Sequence, residues 1–239
     1  MKKILYLFIA LTFCGCHELQ QVVNQLPQGT LGGPGLSNDY IANGLRQALD
    51  KGIDVQVTKL TQKDGFFRNQ LVKILLPAEL QKVDNTLRKI GLSKLADEGL
   101  KVLNRAAEDA VSEATPIFIN AVKGITFADA KNILLGSNNA ATQYLNQKTN
   151  TALYQKFSPV ISNSLNKVGA NDIWANIINK YNSVPLTSKV NPNLTDYVTQ
   201  EALKGVYTMI GVEEKKIRTQ ISARTSDVLR KVFALQDGR

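Results

Sequence analysis

The side chains able to do chemistry are few, and their positions narrow the options. Both cysteines, Cys14 and Cys16, and the single histidine, His17, fall within the first seventeen residues. From Glu18 to Arg239 the chain carries neither type. That stretch therefore has no thiol or imidazole nucleophile, no Ser-His-Asp triad and no zinc site built on those ligands. It also has no internal disulfide, so packing must supply its stability. Carboxylate pairs, Lys or Tyr bases and all-oxygen metal sites remain. The densest polar motif is Asn104-Arg105-Ala106-Ala107-Glu108-Asp109, with Glu113 one turn further on. On a helix Arg105 meets Asp109 at i+4, a surface pair worth about 0.2–0.5 kcal/mol. Glu108 borders the alanine stripe of the same helix. Turned inward, it would take an arginine from another helix. Arg224 and Arg218 are favoured over Arg105, because the C-terminal segment brings Arg218, Arg224 and Arg230 alongside its own apolar residues. Such a network either specifies packing or lines a cleft. The candidate set is Arg105, Glu108, Glu214, Arg218 and Arg224; no catalytic residue, cofactor or metal is assigned.

Weaker signals each have a plain alternative. Glu213-Glu214-Lys215-Lys216 reads as a solvated helix end, and adjacent helical carboxylates diverge by about 100°, so they form no hydrolytic pair. Gly136-Ser137-Asn138-Asn139 is either a capped turn or an anion cradle of backbone N–H groups at a helix start. Trp174 and Tyr181, seven apart, share a helix face that packs into the core or offers a sugar platform. Lys59 to Arg105 holds ten basic residues against five acidic ones. The whole chain carries a net charge of +9, to which Lys2 and Lys3 contribute two.

Those two lysines precede an apolar run from Ile4 to Phe13, too short to cross a hydrocarbon core about 30 Å thick as a helix. A charged start and a short apolar middle are the pattern of a secretory signal. The end, Phe13-Cys14-Gly15-Cys16, resembles a bacterial lipoprotein signal, with Cys16 as the lipidated residue because Gly15 precedes it. Ordinary cleavage or a buried N-terminal helix is the alternative. By the same resemblance, His17 rather than Asp after the cysteine implies sorting to the periplasmic face of the outer membrane. The expected organisation is a signal over 1–16, a tether over 17–36 and a helical domain over 37–239.

Within that domain apolar residues recur at helical spacing. Ile41, Leu45, Leu49, Ile53 and Leu60 mark a first helix, whose end is blurred by the alternation of Val55 and Val57. Lys63-Asp64-Gly65-Phe66-Phe67 reads as a turn pinned by aromatics. Leu71–Leu76 is a short apolar run. A helix starting at Pro77 would bury Leu80, Val83, Leu87 and Ile90 and end at Gly91. The Ala-rich stretch from Ser93 to Gly136 is expected to supply a long central helix, divided or kinked at Pro116. Thr126 and Asp129 form a capping box, and further helices precede Gly169, the Ser183–Leu194 loop and the C-terminus. The fold class is therefore all-α: a single multi-helix domain packed around a long central helix.

Four stretches carry a family resemblance: DGFFRNQLVKILLP (64–77), NRAAEDAVSEATPIFINAV (104–122), DAKNILLGSNNAATQYL (129–145) and EEKKIRTQISARTSDVLRKVF (213–233). Together they resemble the bacterial domain-of-unknown-function family 4197 over about residues 40–235. The resemblance implies an exported, mostly helical domain, often behind a lipoprotein leader, and no particular activity. The functional expectation is an envelope lipoprotein acting as a non-enzymatic binding or scaffold domain. The alternative is a carboxylate-dependent hydrolase acting on an envelope component. Expected partners are the membrane, through the N-terminal lipid, and anionic envelope components or another envelope protein, with no nucleic acid.

Overall fold

In a computed structural model of the chain, residues 36–76, 81, 85, 88–91, 93–183, 185–186 and 189–237 are described, and every regular element among them is helical. The helices are α1 (Asn38–Thr61), α2 (Ser93–Val111), α3 (Ala114–Lys123), α4 (Phe127–Leu135), α5 (Ala140–Asn166), α6 (Ala170–Asn182), α7 (Leu194–Thr219) and α8 (Asp227–Ala234), with a 3₁₀ turn at Ile221–Ala223. The leader, Cys16 and the tether up to Gly35 lie outside the described residues. So do Leu80, Val83 and Leu87 of the helix expected after Pro77, and the side chain of Tyr181. Ile90, expected on that helix's buried face, is exposed.

Helical spacing prevails over the brief alternation in α1, which continues to Thr61 with Ile53, Gln56, Val57 and Leu60 all buried. Pro116 divides its stretch as expected. α2 stops at Val111, and Pro116 sits in the first turn of α3, where its missing N–H removes no intrahelical bond. The Thr126 hydroxyl accepts from the Asp129 N–H and the Asp129 carboxylate accepts from the Thr126 N–H, closing the capping box of α4. The Thr126 N–H and the Thr126 hydroxyl both donate to the Asp129 carboxylate and hold its carboxyl below the ordinary pKa.

Residues 93–136 are thus three helices rather than one central rod. The long central helix is α5. Its buried residues are Ala141, Leu145, Thr149, Leu153, Phe157, Ile161 and Leu165, one in every four. At 100° per residue, a spacing of four advances the stripe by about 40° a step, or roughly 240° over the helix. The buried face therefore winds around α5, which packs against α2, α3, α4, α6 and α7. The same winding spreads apolar residues around the helix, so no one-sided pattern marks it in the sequence. α7 runs antiparallel to α5. Glu214 meets Ala141, Tyr207 meets Thr149 and Asp196 meets Tyr154. Phe118 packs edge-on to Tyr207, with ring centroids 6.1 Å apart. Burial pushes the Tyr207 phenol up to about 12.

Gly205 on α7 lets the fully buried Phe66 ring approach the helix backbone: an added Cβ would stand 2.6 Å from the ring. Gly99 on α2 has open space at the same position. Replacing a mid-helix glycine by alanine gains about 0.8–1 kcal/mol, whereas overpacking a core costs about 1–3 kcal/mol. Gly99→Ala should therefore raise the urea midpoint, and Gly205→Ala should lower it. A rise for both would mean that Phe66 does not pack against α7 as described.

Candidate functional site

The candidate residues separate into two clusters, each built on an i, i+4 pair. The first lies on α2. Asn104, Glu108 and, beside them, Arg105 face the segment that leaves the end of α1. The Glu108 carboxylate is buried. Its Oε1 accepts from the Phe66 N–H at 3.1 Å, and its Oε2 accepts from the Asp64 N–H at 3.3 Å and from Arg105 Nη1 at 2.8 Å. One turn earlier, Asn104 has no exposed surface. Its Oδ1 accepts from the Ile74 N–H at 2.8 Å, and its Nδ2 donates to the carbonyls of Ile74 and Leu100 at 2.9 and 2.7 Å. The side-chain amide thus takes both backbone groups of a residue thirty positions away. Together the two side chains brace the segment 64–76 near both its ends.

The segment needs such bracing. Asp64 adopts a φ of 66°, a left-handed conformation that costs a non-glycine residue free energy. Its carboxylate is held by Arg68 at 3.1 Å and Arg105 at 3.0 Å. Gly65 lies so close to the last carbonyls of α1 that a Cβ there would stand 2.4 Å from the Lys59 oxygen. The turn expected at 63–67 is therefore present. Phe66 is its buried pin, and Glu108 satisfies the N–H groups of Asp64 and Phe66 that the turn leaves without carbonyl partners.

The second cluster joins α7 to three helix ends. Glu214, expected on a solvated end, is instead buried. Its Oε1 accepts from the Ala141 N–H at 2.9 Å, and its Oε2 accepts from the Thr142 N–H at 2.8 Å and hydroxyl at 2.7 Å. Ala141 and Thr142 are the second and third residues of α5, whose N-cap residue Asn139 makes no side-chain cap. Glu214 thus caps a helix seventy residues away, with a negative charge at the positive end of its dipole. The turn at 136–139 does precede an anion site, and the anion is this protein's own carboxylate.

Arg218, at i+4, does the converse. Its Nε donates to Glu214, and Nη2 lies 2.9 Å from the same carboxylate. Nη1 donates to the Leu134 carbonyl and to Gln236, and Nη2 to the Ile133 carbonyl. Those carbonyls belong to the last turn of α4, where a cation is favoured. Glu214 and Arg218 therefore bridge the end of α4 and the start of α5. Arg224 caps α7 itself: Nε donates to the Ile217 carbonyl and Nη2 to that of Arg218, each at 3.0 Å. Asp237 receives the rest of its guanidinium at 2.7 Å, and that contact holds the Asp237 carboxyl below its usual value. Both guanidinium groups also lie within 6 Å of the Phe233 ring centroid, at 5.9 and 5.8 Å.

These contacts correct the expected pairing. Glu108 is buried and does meet an arginine, but the partner is Arg105, three residues away, rather than Arg218 or Arg224. Asp109 accepts from Ser164, not from Arg105. Trp174 is buried, stacked on Tyr197 with centroids 6.0 Å apart, and donates to the Asn191 carbonyl, so its face is not offered to a sugar. Thr142 and Asp237 took no part in the sequence expectation, and Asn104 and Asp64 entered it only as members of the polar motif and of the turn, not as site residues. Only Asn104 carried a local signal, its i, i+4 spacing from Glu108.

The stretches that carry the resemblance meet in pairs: 104–108 grips 64–74, and 214–218 grips 133–142. The family model described as "Protein of unknown function (DUF4197)" matches residues 35–234. No match was found among curated proteins or among solved structures. Since the family model spans every helix described from α1 to α8, the chain belongs to the DUF4197 family.

Proposed function

We propose that this chain is an exported, lipid-anchored helical domain of the bacterial envelope, held at the periplasmic face of the outer membrane, that binds or scaffolds rather than catalyses. The observation that carries the non-catalytic part is how the buried charges are used. Glu108, Glu214, Arg218 and Arg224 are the groups a carboxylate-dependent hydrolase would draw on. Each is engaged with backbone groups of the fold, and the two carboxylates share no partner. A general acid or base needs a free position facing substrate, and these side chains spend their capacity on capping and bracing. The location rests on the leader, with its lysines, its apolar run and Gly15-Cys16.

Metabolic labelling with a fatty-acid analogue tests the anchor. The wild-type chain should take up label and sediment with membranes. Cys16→Ser should lose the label and appear in the soluble fraction. Undiminished label on Cys16→Ser would refute lipidation at that residue.

A further inference from the structure

The braced segment 64–76 presents an unusual surface. Although Glu108, Asn104 and a Tyr197 hydroxyl bond to the Leu75 carbonyl fix it in place, Leu71 and Leu75 point outward, 64% and 47% exposed. Between them in sequence, Lys73 sets its ammonium 4.2 Å from the Phe67 ring centroid, and Lys101 from α2 sets a second ammonium 5.5 Å from the same centroid. Asp97, whose carboxyl feels both lysines, is hydrogen-bonded by Arg88 at 2.8 Å. Lys204 lines the same groove as Leu71, Lys73 and Leu75, where Glu201 stands 3.6 Å from its ammonium, and the exposed Arg68 is paired with Asp64. Two exposed leucines beside Lys73, with the Lys101 ammonium over the neighbouring Phe67 ring, thus stand on a rigid mount.

We infer that this segment is a membrane-docking element, in which Leu71 and Leu75 enter the interface of a bilayer while Lys73 and Lys101 take the phosphates of its anionic headgroups. The inference rests on the envelope location proposed above. Two apolar side chains are too few for a stable protein interface, which buries at least about 1,000 Å². They suit shallow insertion beside basic residues, the pattern of peripheral lipid binding. Bracing removes the ordering cost that a loose loop would meet on insertion. Chain length allows the contact. Roughly twenty residues separate Cys16 from Ser37 and span at most about 70 Å, more than the roughly 40 Å width of a 200-residue domain. At that length the face that carries segment 64–76 can reach the bilayer, and its chemistry fits one.

The test uses the full chain. No cysteine lies beyond Cys16, so with Cys14→Ser in place Leu71→Cys provides a labelling site. The membrane-derived protein is labelled with bimane and reconstituted into vesicles carrying nitroxide lipid, made of phosphatidylglycerol or of phosphatidylcholine. Exposed Lys231 on α8 is the control, as Lys231→Cys. α8 packs on Gly44 near the start of α1, roughly 25 Å along that helix from segment 64–76. Stronger quenching at residue 71 than at 231, larger in phosphatidylglycerol, supports docking. Equal quenching at the two sites, or energy transfer between labelled chains without vesicles, which would mark a second copy as the occupant, overturns it. Failure of the anchor appears separately, as absence of the chain from the membrane fraction. In that case the same probes on the Cys16→Ser chain, mixed with the same vesicles, decide the docking. On that chain Lys73→Gln with Lys101→Gln should weaken phosphatidylglycerol binding roughly thirtyfold; unchanged binding would overturn the role of the lysines.

Discussion

Arg218→Ala is expected to be among the most damaging single substitutions in this domain. The side chain is 2% exposed and that of its partner Glu214 is 5% exposed. Removing it strips the Ile133 and Leu134 carbonyls of their capping donor and leaves Glu214 without its counter-charge. Breaking a buried pair from one side costs about 3–5 kcal/mol. A domain of this size loses about 2–4 °C per kcal/mol, so the melting temperature should fall by roughly 6 to 20 °C. Glu214→Ala should be comparable, since it uncaps α5 and leaves Arg218 with carbonyl and amide oxygens but no counter-charge. The double variant should cost less than the sum by about 1–3 kcal/mol, because either change already breaks the shared contact. Thermal and urea unfolding of the three variants measure this. Near-neutral singles would mean that EEKK is the solvated helix end its composition suggests.

Glu108→Ala is the second large effect, for a different reason. Here the main loss is the acceptor for two backbone N–H groups, those of Asp64 and Phe66. Each buried donor left unsatisfied costs about 1–3 kcal/mol, so a loss of about 2–6 kcal/mol is expected for the two, with the positive-φ turn loosened. Arg105→Ala should cost less, about 1 kcal/mol, since its side chain is 37% exposed, water can take its place, and the Asp64 and Phe66 N–H groups still hold the buried Glu108 carboxylate. The combination Glu108→Ala with Arg224→Ala should be additive within about 0.5 kcal/mol, as for sites that share no partner. A clear coupling between them would restore the pairing expected from the sequence.

Local signals survived translation into structure well. The capping box at Thr126 and Asp129, the division at Pro116 and the turn at Asp64-Gly65 depend on neighbours within a few residues, and their chemistry is readable there. The place of α5 at the centre was hidden because its stripe advances by four and winds around the helix. The Ala-rich stretch from Ser93 looked more central only because its stripe stays on one side. The caps supplied by Glu214 and Arg218 were hidden for another reason. Their partners are backbone groups seventy to eighty-five residues away, and backbone groups leave no trace in composition. The Glu213-Glu214-Lys215-Lys216 run looks solvated because three of its members do lie at least partly in water; the fourth is turned inward by the periodicity of α7.

That the candidate residues form two independent braces, one of them holding segment 64–76, is tested most directly by residue-resolved amide hydrogen exchange on Glu108→Ala against wild type. Two independent braces require that exchange at Asp64, Phe66 and their neighbours through Ile74 accelerates strongly, while Ala141, Thr142 and the end of α7 keep wild-type protection. Accelerated exchange at Ala141, Thr142 and around Arg224, with segment 64–74 still protected, would contradict them.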